Sequence, residues 1–75
     1  MDESEFKAEF GARVRHWRDR RKMSQEELAH VAGMNRSYMS DVECGRRCIG
    51  LLYAAKIADA LKVKLYKLMP DWPMK

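Results

Sequence analysis

Four residues between positions 36 and 44 fall on one face of any helix drawn through them. At about 100° per residue, Arg36, Ser37, Ser40 and Cys44 gather opposite Tyr38, Met39 and Val42. The face offers a forked cationic donor, two hydroxyls and a thiol, with Asp41 and Glu43 on its flanks and no carboxylate of its own. Such a surface suits a duplex groove, where acidic groups are repelled by phosphate and short hydroxyls allow close approach to base edges. A plain solvated face is the competing reading, although solvated faces usually mix both charge signs. Arg46 and Arg47 follow directly, in a stretch from Arg46 to Gly50 that reads as a loop. Two mobile cations there suit phosphate contacts better than base readout.

The other candidate chemistry is thin. His16 lies among arginines and His30 has no nucleophile at a useful spacing, so both read as solvated side chains. Ser24 is accounted for by helix capping, and Ser37 and Ser40 have no adjacent base or oxyanion-hole signal, so no enzyme activity is expected. Cys44 and Cys48 make no disulfide framework and are expected as reduced, buried or half-buried thiols. With His16 and His30 they match no familiar zinc spacing, so neither a metal nor a cofactor is expected.

These residues need helices to position them. No segment alternates in the manner of a strand, and the turn signals separate helix-length stretches. Phe6, Phe10, Val14 and Trp17 form one apolar stripe on a first helix of about five turns. Its first ten residues carry Asp2, Glu3, Glu5 and Glu9 against Lys7, net −3. Residues 13–22 carry Arg13, Arg15, Arg18, Arg20, Arg21 and Lys22 against Asp19, net +5. That order complements the helix dipole, which explains part of the basic cluster without a ligand. Ser24 and Glu27 make a capping box for a second helix that Gly33 ends. Asn35 caps a third helix running to about Cys44, ended by Gly45. Leu51–Leu61 reads as a fourth helix and Leu65–Met69 as a short fifth, stopped by Pro70, with an irregular tail through Trp72 and Pro73. The expectation is an all-α fold of five short helices in a single domain over residues 1–75.

Composition agrees. Seventy-five residues allow one domain with a small core and no large substrate cleft. A net charge of +4 is a modest basic bias. No apolar run approaches the ~18 residues of a membrane span. The acidic start, Met1-Asp2-Glu3-Ser4-Glu5, lacks the cations and apolar stretch of a secretion signal, so a cytoplasmic location without membrane association is expected. The same fold used as an RNA- or protein-binding module is the alternative from another class. It would favour exposed aromatics for stacking, yet Phe6, Phe10 and Trp17 already belong to the first stripe.

The segment Met23-Ser24-Gln25-Glu26-Glu27-Leu28-Ala29, then Ala32-Gly33-Met34, then Ser37-Tyr38-Met39-Ser40-Asp41-Val42-Glu43-Cys44-Gly45-Arg46-Arg47 strongly resembles the Cro/CI (XRE-type) helix-turn-helix. The resemblance extends from about Phe10 to Met69 and includes Ile57-Ala58-Asp59-Ala60-Leu61-Lys62-Val63. It implies a lambda-repressor-like domain, with the helix-turn-helix over about 24–44, that regulates transcription by binding double-stranded operator DNA. By resemblance, Gln25 bonds a phosphate and braces the third helix. Asn35, Arg36, Ser37 and Ser40 meet base edges and flanking phosphates, and Tyr38 serves both core and backbone phosphate. Arg18 and Glu43 match a structural pair tying the first helix to the third, and Arg46 and Arg47 match a loop that contacts phosphates or central base edges. Two departures stand out. Cys44 occupies a position more often cationic or amide, and Lys22 replaces a common glycine. The short chain, the Arg36–Ser40 run and the Arg46–Leu51 loop look most like controller proteins of restriction–modification systems; a prophage-type repressor or an antitoxin regulator is the alternative. RNA polymerase is a further candidate partner.

A homodimer is expected from helices four and five, over about 51–69. Leu51, Ala54, Ala58 and Leu61 read as the inward stripe of the fourth helix. Tyr53, Ile57 and Ala60 read as an outward apolar face, to which Leu65, Leu68, Met69 and Trp72 add. Tyr53, Ile57, Leu65 and Leu68 are therefore the expected interface. Such a dimer would read a pseudo-palindrome with half-site centres about 10–10.5 base pairs apart.

Overall fold

In the computed structural model, residues 1–71 are described. They form four α-helices, α1 (Glu3–Arg20), α2 (Gln25–Val31), α3 (Arg36–Glu43) and α4 (Leu51–Leu61), followed by a 3₁₀ turn, Leu65–Lys67. The all-α class is as expected, but the fifth helix is this single turn: Pro70 and the short apolar segment leave too few residues for an α-helical repeat. Trp72 and Pro73, read as part of the irregular tail, lie outside the described residues.

Local chemistry starts each of the first three helices. Asp2 and Glu5 form a capping box on α1, and Ser24 and Glu27 form one on α2, where Glu27 N donates to Ser24 Oγ at 3.0 Å and Ser24 N to Glu27 Oε1 at 2.8 Å. Hydrogen bonding from Ser24, its backbone amide first and its hydroxyl second, holds the Glu27 carboxyl below the usual carboxylate range. Asn35 Oδ1 accepts from Tyr38 N at 2.7 Å and starts α3. α4 begins on Gly50 with no side-chain cap.

All four helices end in one motif, in which a left-handed residue, at the C-terminal cap of α4 and one position after it in the others, turns the chain and two amides bond back to orphan carbonyls. After α2 and α3 the left-handed residue is Gly33 and Gly45, at φ 71° and 73°. After α1 and α4 it is a lysine, Lys22 at φ 56° and Lys62 at 59°. The turn after α1 therefore closes as a glycine turn does, Met23 N donating to Arg18 O at 3.0 Å, but with a side chain in a region costly for L-residues.

The core lies where the four helices meet: Phe10 and Val14 from α1, Leu28 and Ala29 from α2, Met39 and Val42 from α3, and Ala54, Ile57, Ala58 and Leu61 from α4, closed by Leu68. α1 and α2 both pack on α3, and α2 also packs on α4. The approach of α1 to α3 depends on Gly11, where an added Cβ would lie 2.5 Å from Glu43 O.

Three expectations are corrected here. Ile57 and Leu68 are fully buried in this chain, so neither belongs to an outward face, and Leu51 is 77% exposed rather than inward. The inward side of α4 is centred on Ala54, Ile57, Ala58 and Leu61, the residues of this helix that are buried in the shared core. Cys44 and Cys48 are both exposed free thiols, since Cys44 falls on the solvent side of α3, at its C-terminal cap, and Cys48 lies in the exposed loop that follows.

Candidate nucleic-acid interface

The turn Ala32-Gly33-Met34-Asn35 sets α3 against α2, burying Ala32 and Met34 and leaving one side of α3 to solvent. That side carries Arg36, Ser37 and Cys44, exposed, and Ser40, half-buried. Met39 and Val42 are buried beneath them. The contact nearest the free face is a loose one: Arg36 Nη1 lies 3.7 Å from Glu26 Oε2, with both side chains well exposed. Exposed pairs of this kind contribute about 0–1 kcal/mol, so Arg36 is readily released to a ligand.

Glu43 organises the base of α3. Its side chain is fully buried and accepts from Arg18 Nε at 2.8 Å and Nη2 at 3.0 Å, the fork of an arginine on a carboxylate. This bond to Glu43 raises the Arg18 pKa above its ordinary value despite burial. Gln25 Nε2 donates to the same carboxylate at 3.2 Å and Arg15 Nε lies 3.7 Å away. One buried anion thus joins α1, the first residue of α2 and the last residue of α3. Gln25 is half-buried, and its second amide hydrogen remains for a ligand.

Tyr38 is half-buried, packed edge-on to Tyr53 of α4 with ring centroids 5.6 Å apart and covered by the Arg47 guanidinium at 5.1 Å. Arg46 Nε and Nη2 reach Asp41 Oδ1 at 3.1 and 3.0 Å, and Arg47 Nε lies 3.8 Å from Asp41 Oδ2. The bond to Asp41 raises the Arg46 pKa. The two loop arginines are therefore tethered side chains, where the sequence reading had them mobile. Gln25, Asn35, Arg36, Ser37, Tyr38, Ser40, Arg46 and Arg47 all belong to the α2 start, α3 with its capping residue, or the loop that follows it.

The two-helix unit with its glycine turn, its free polar face and its buried brace is a recognisable arrangement. The sequence pattern of the helix-turn-helix family HTH_3 matches residues 14–68. The chain belongs to this helix-turn-helix family. It is 43% identical over 56 residues to the control protein C.BamHI of Bacillus amyloliquefaciens, covering 73% of this chain and 69% of that protein. It is 40% identical over 68 residues to a hypothetical transcription factor of Neisseria meningitidis, covering 91% of this chain. The chain spans 64% of that relative's own length, a little under two thirds. Among solved structures it resembles the restriction-modification controller protein C.AhdI from Aeromonas hydrophila, with a TM-score of 0.81 at 39% identity, covering 83% of this chain and 94% of that one.

Three features of this helix-turn-helix escaped the sequence reading. Gly11, which admits α3 to α1, lies inside an ordinary apolar stripe and has no turn signal. Asp41 reaches Arg46 and Arg47 only because the left-handed Gly45 folds the loop back over the last turn of α3; an acidic residue five positions before an arginine, across a glycine C-cap, was the available sign. Arg13 and Arg21 bond backbone carbonyls elsewhere, Arg13 Nη1 to Met69 O at 2.6 Å and Arg21 Nε to Leu61 O at 2.7 Å. Part of the basic half of α1 therefore serves the fold. Among the described residues no three His, Cys, Asp or Glu side chains gather as metal ligands, and no helix is long and apolar enough to cross a membrane.

Proposed function

We propose that this chain is a sequence-specific, double-stranded DNA-binding transcriptional regulator of the restriction–modification controller type, acting in the cytoplasm as a homodimer on a pseudo-palindromic operator. The observation that carries the reading is the solvent side of α3. Arg36, Ser37, Ser40 and Cys44 stand there without a carboxylate among them, on a helix whose last residue, Glu43, is locked to α1 and α2.

In this reading α3 enters the major groove and Arg36 reads guanine, whose two acceptors match the guanidinium fork. Ser37 and Ser40 make short contacts, and Asn35, with Oδ1 occupied by its cap, offers its amide hydrogens to a phosphate. Gln25, Tyr38, Arg46 and Arg47 anchor the backbone at either end of α3. The likeness to controller proteins supports the regulator class, and RNA polymerase is the partner such a regulator would address.

The dimer surface is redrawn from burial. Leu51 and Leu52 are 77% and 65% exposed on the first turn of α4, beside Ala55 and Met69. Together with Phe6, Phe10 and Ile49, Leu51, Ala54 and Met69 line an apolar groove of about 150 Å³. A second copy covering this patch would remove the exposed leucines from water. Tyr53 and Leu65 are half-buried against the core, whereas Ile57 and Leu68 lie fully within it.

The test is a titration against duplex and single-stranded DNA at two salt concentrations. Binding to duplex that weakens steeply with salt supports the reading. Preference for the single strand would replace it with an RNA-type module.

A further inference from the structure

Asp41 lies on the flank of the free face of α3, and both loop arginines approach it at once. Arg46 N donates to Asp41 O at 2.9 Å, which brings the Arg46 side chain back over the helix. The Asp41 carboxylate then accepts the Nε and Nη2 edge of Arg46 on Oδ1, with Arg47 Nε 3.8 Å from Oδ2. The Arg47 guanidinium is fixed from its other side by the Tyr38 ring. Asp41 is only 30% exposed, while the arginines are 61% and 59% exposed, so the anion lies beneath and the cations project.

This arrangement has two electrostatic consequences. The corner carries two cations and one anion, a net charge of one, so a phosphate meets about half the attraction that two free arginines would exert. In addition, Arg46 has one guanidinium edge committed to Asp41, and Arg47 lies between the Tyr38 ring and the same carboxylate, so their remaining donors point in a restricted set of directions. A random duplex is held chiefly by mobile cations that find whatever phosphate is near. It gains little from donors that are partly neutralised and aimed. An operator that places acceptors where those donors already point is bound without the entropy cost of ordering two long side chains.

We propose that Asp41 is a positioning residue that sets DNA specificity, holding Arg46 and Arg47 in one orientation and withholding charge from non-specific phosphate contact. The inference rests on the duplex-binding reading above.

The experiment measures affinity for a selected operator duplex and for a random duplex across a salt series, for wild type, Asp41→Asn and Asp41→Glu. Asp41→Asn should bind random duplex several-fold more tightly, bind the operator with little change, and steepen the slope of log affinity against log salt by about one per protomer. Asp41→Glu, which keeps the charge, should retain the wild-type slope. In an Arg46→Gln, Arg47→Gln background, Asp41→Asn should no longer alter the slope, which separates an effect through the arginines from a general loss of fold. Equal changes on both duplexes, an unchanged slope in Asp41→Asn, or a slope change that persists without the arginines would overturn the proposal. A wild type that binds both duplexes equally, with a normal salt slope, would instead remove sequence readout altogether, and the proposal with it.

Discussion

Arg36 and Glu43 lie at opposite ends of the same helix, the first exposed and the second buried, and their environments assign them different work. Arg36 is 65% exposed at the side chain and loosely paired, so its contribution is expected in binding. Arg36→Ala should cost about 1–3 kcal/mol of operator affinity and relax the preference at one position per half-site. Lysine should restore only part of it, because the fork is lost. Competition titrations with operator and random duplex check this; an equal loss on both would make Arg36 a phosphate anchor. Glu43 is buried with Arg18 forked upon it, so Glu43→Gln should act on stability. Stranding a mostly buried guanidinium should cost about 3 kcal/mol, read as a lower urea midpoint with an unchanged slope. The Arg18–Glu43 pair was legible only through family likeness, since 25 positions separate the partners and no local pattern links them.

At the scale of the elements, what was legible divides by range. The caps at Ser24, Asn35, Gly33 and Gly45 were readable because each depends on residues within a few positions. The inward face of α4 was not, because Leu51 and Ile57 are equally apolar. Only the tertiary packing of α4 on the rest of the core decides which one is buried. Lysines in left-handed positions give a direct prediction. Lys22→Gly removes a left-handed cost of about 1–2 kcal/mol and adds about 0.5–1 kcal/mol of unfolded-state entropy, a net gain of roughly 0.5–1 kcal/mol. Thermal unfolding should shift upward by several degrees. Gly11→Ala should do the reverse, since its methyl group would meet the α3 backbone at Glu43; an unchanged melting temperature would mean that α1 and α3 separate without cost.

For the whole molecule, the burial pattern separates two leucines that look alike in sequence. Leu68→Glu places a charge in the core and should unfold the chain, whereas Leu52→Glu, on an exposed position, should yield a folded monomer with weakened operator binding. Circular dichroism with sedimentation distinguishes them; a folded Leu68→Glu or a dimeric Leu52→Glu would shift the interface elsewhere. The central claim is that two copies present α3 to two half-sites of a duplex, with Arg36 as a base reader. Selection of binding sites from a random duplex library by the wild type and by Arg36→Ala tests it most directly. The wild type should enrich inverted half-sites with centres about 10–10.5 base pairs apart, and Arg36→Ala should lose the preference at one symmetric pair of positions. A library that emerges without any enriched sequence, or an Arg36→Ala pattern identical to the wild type, would contradict it.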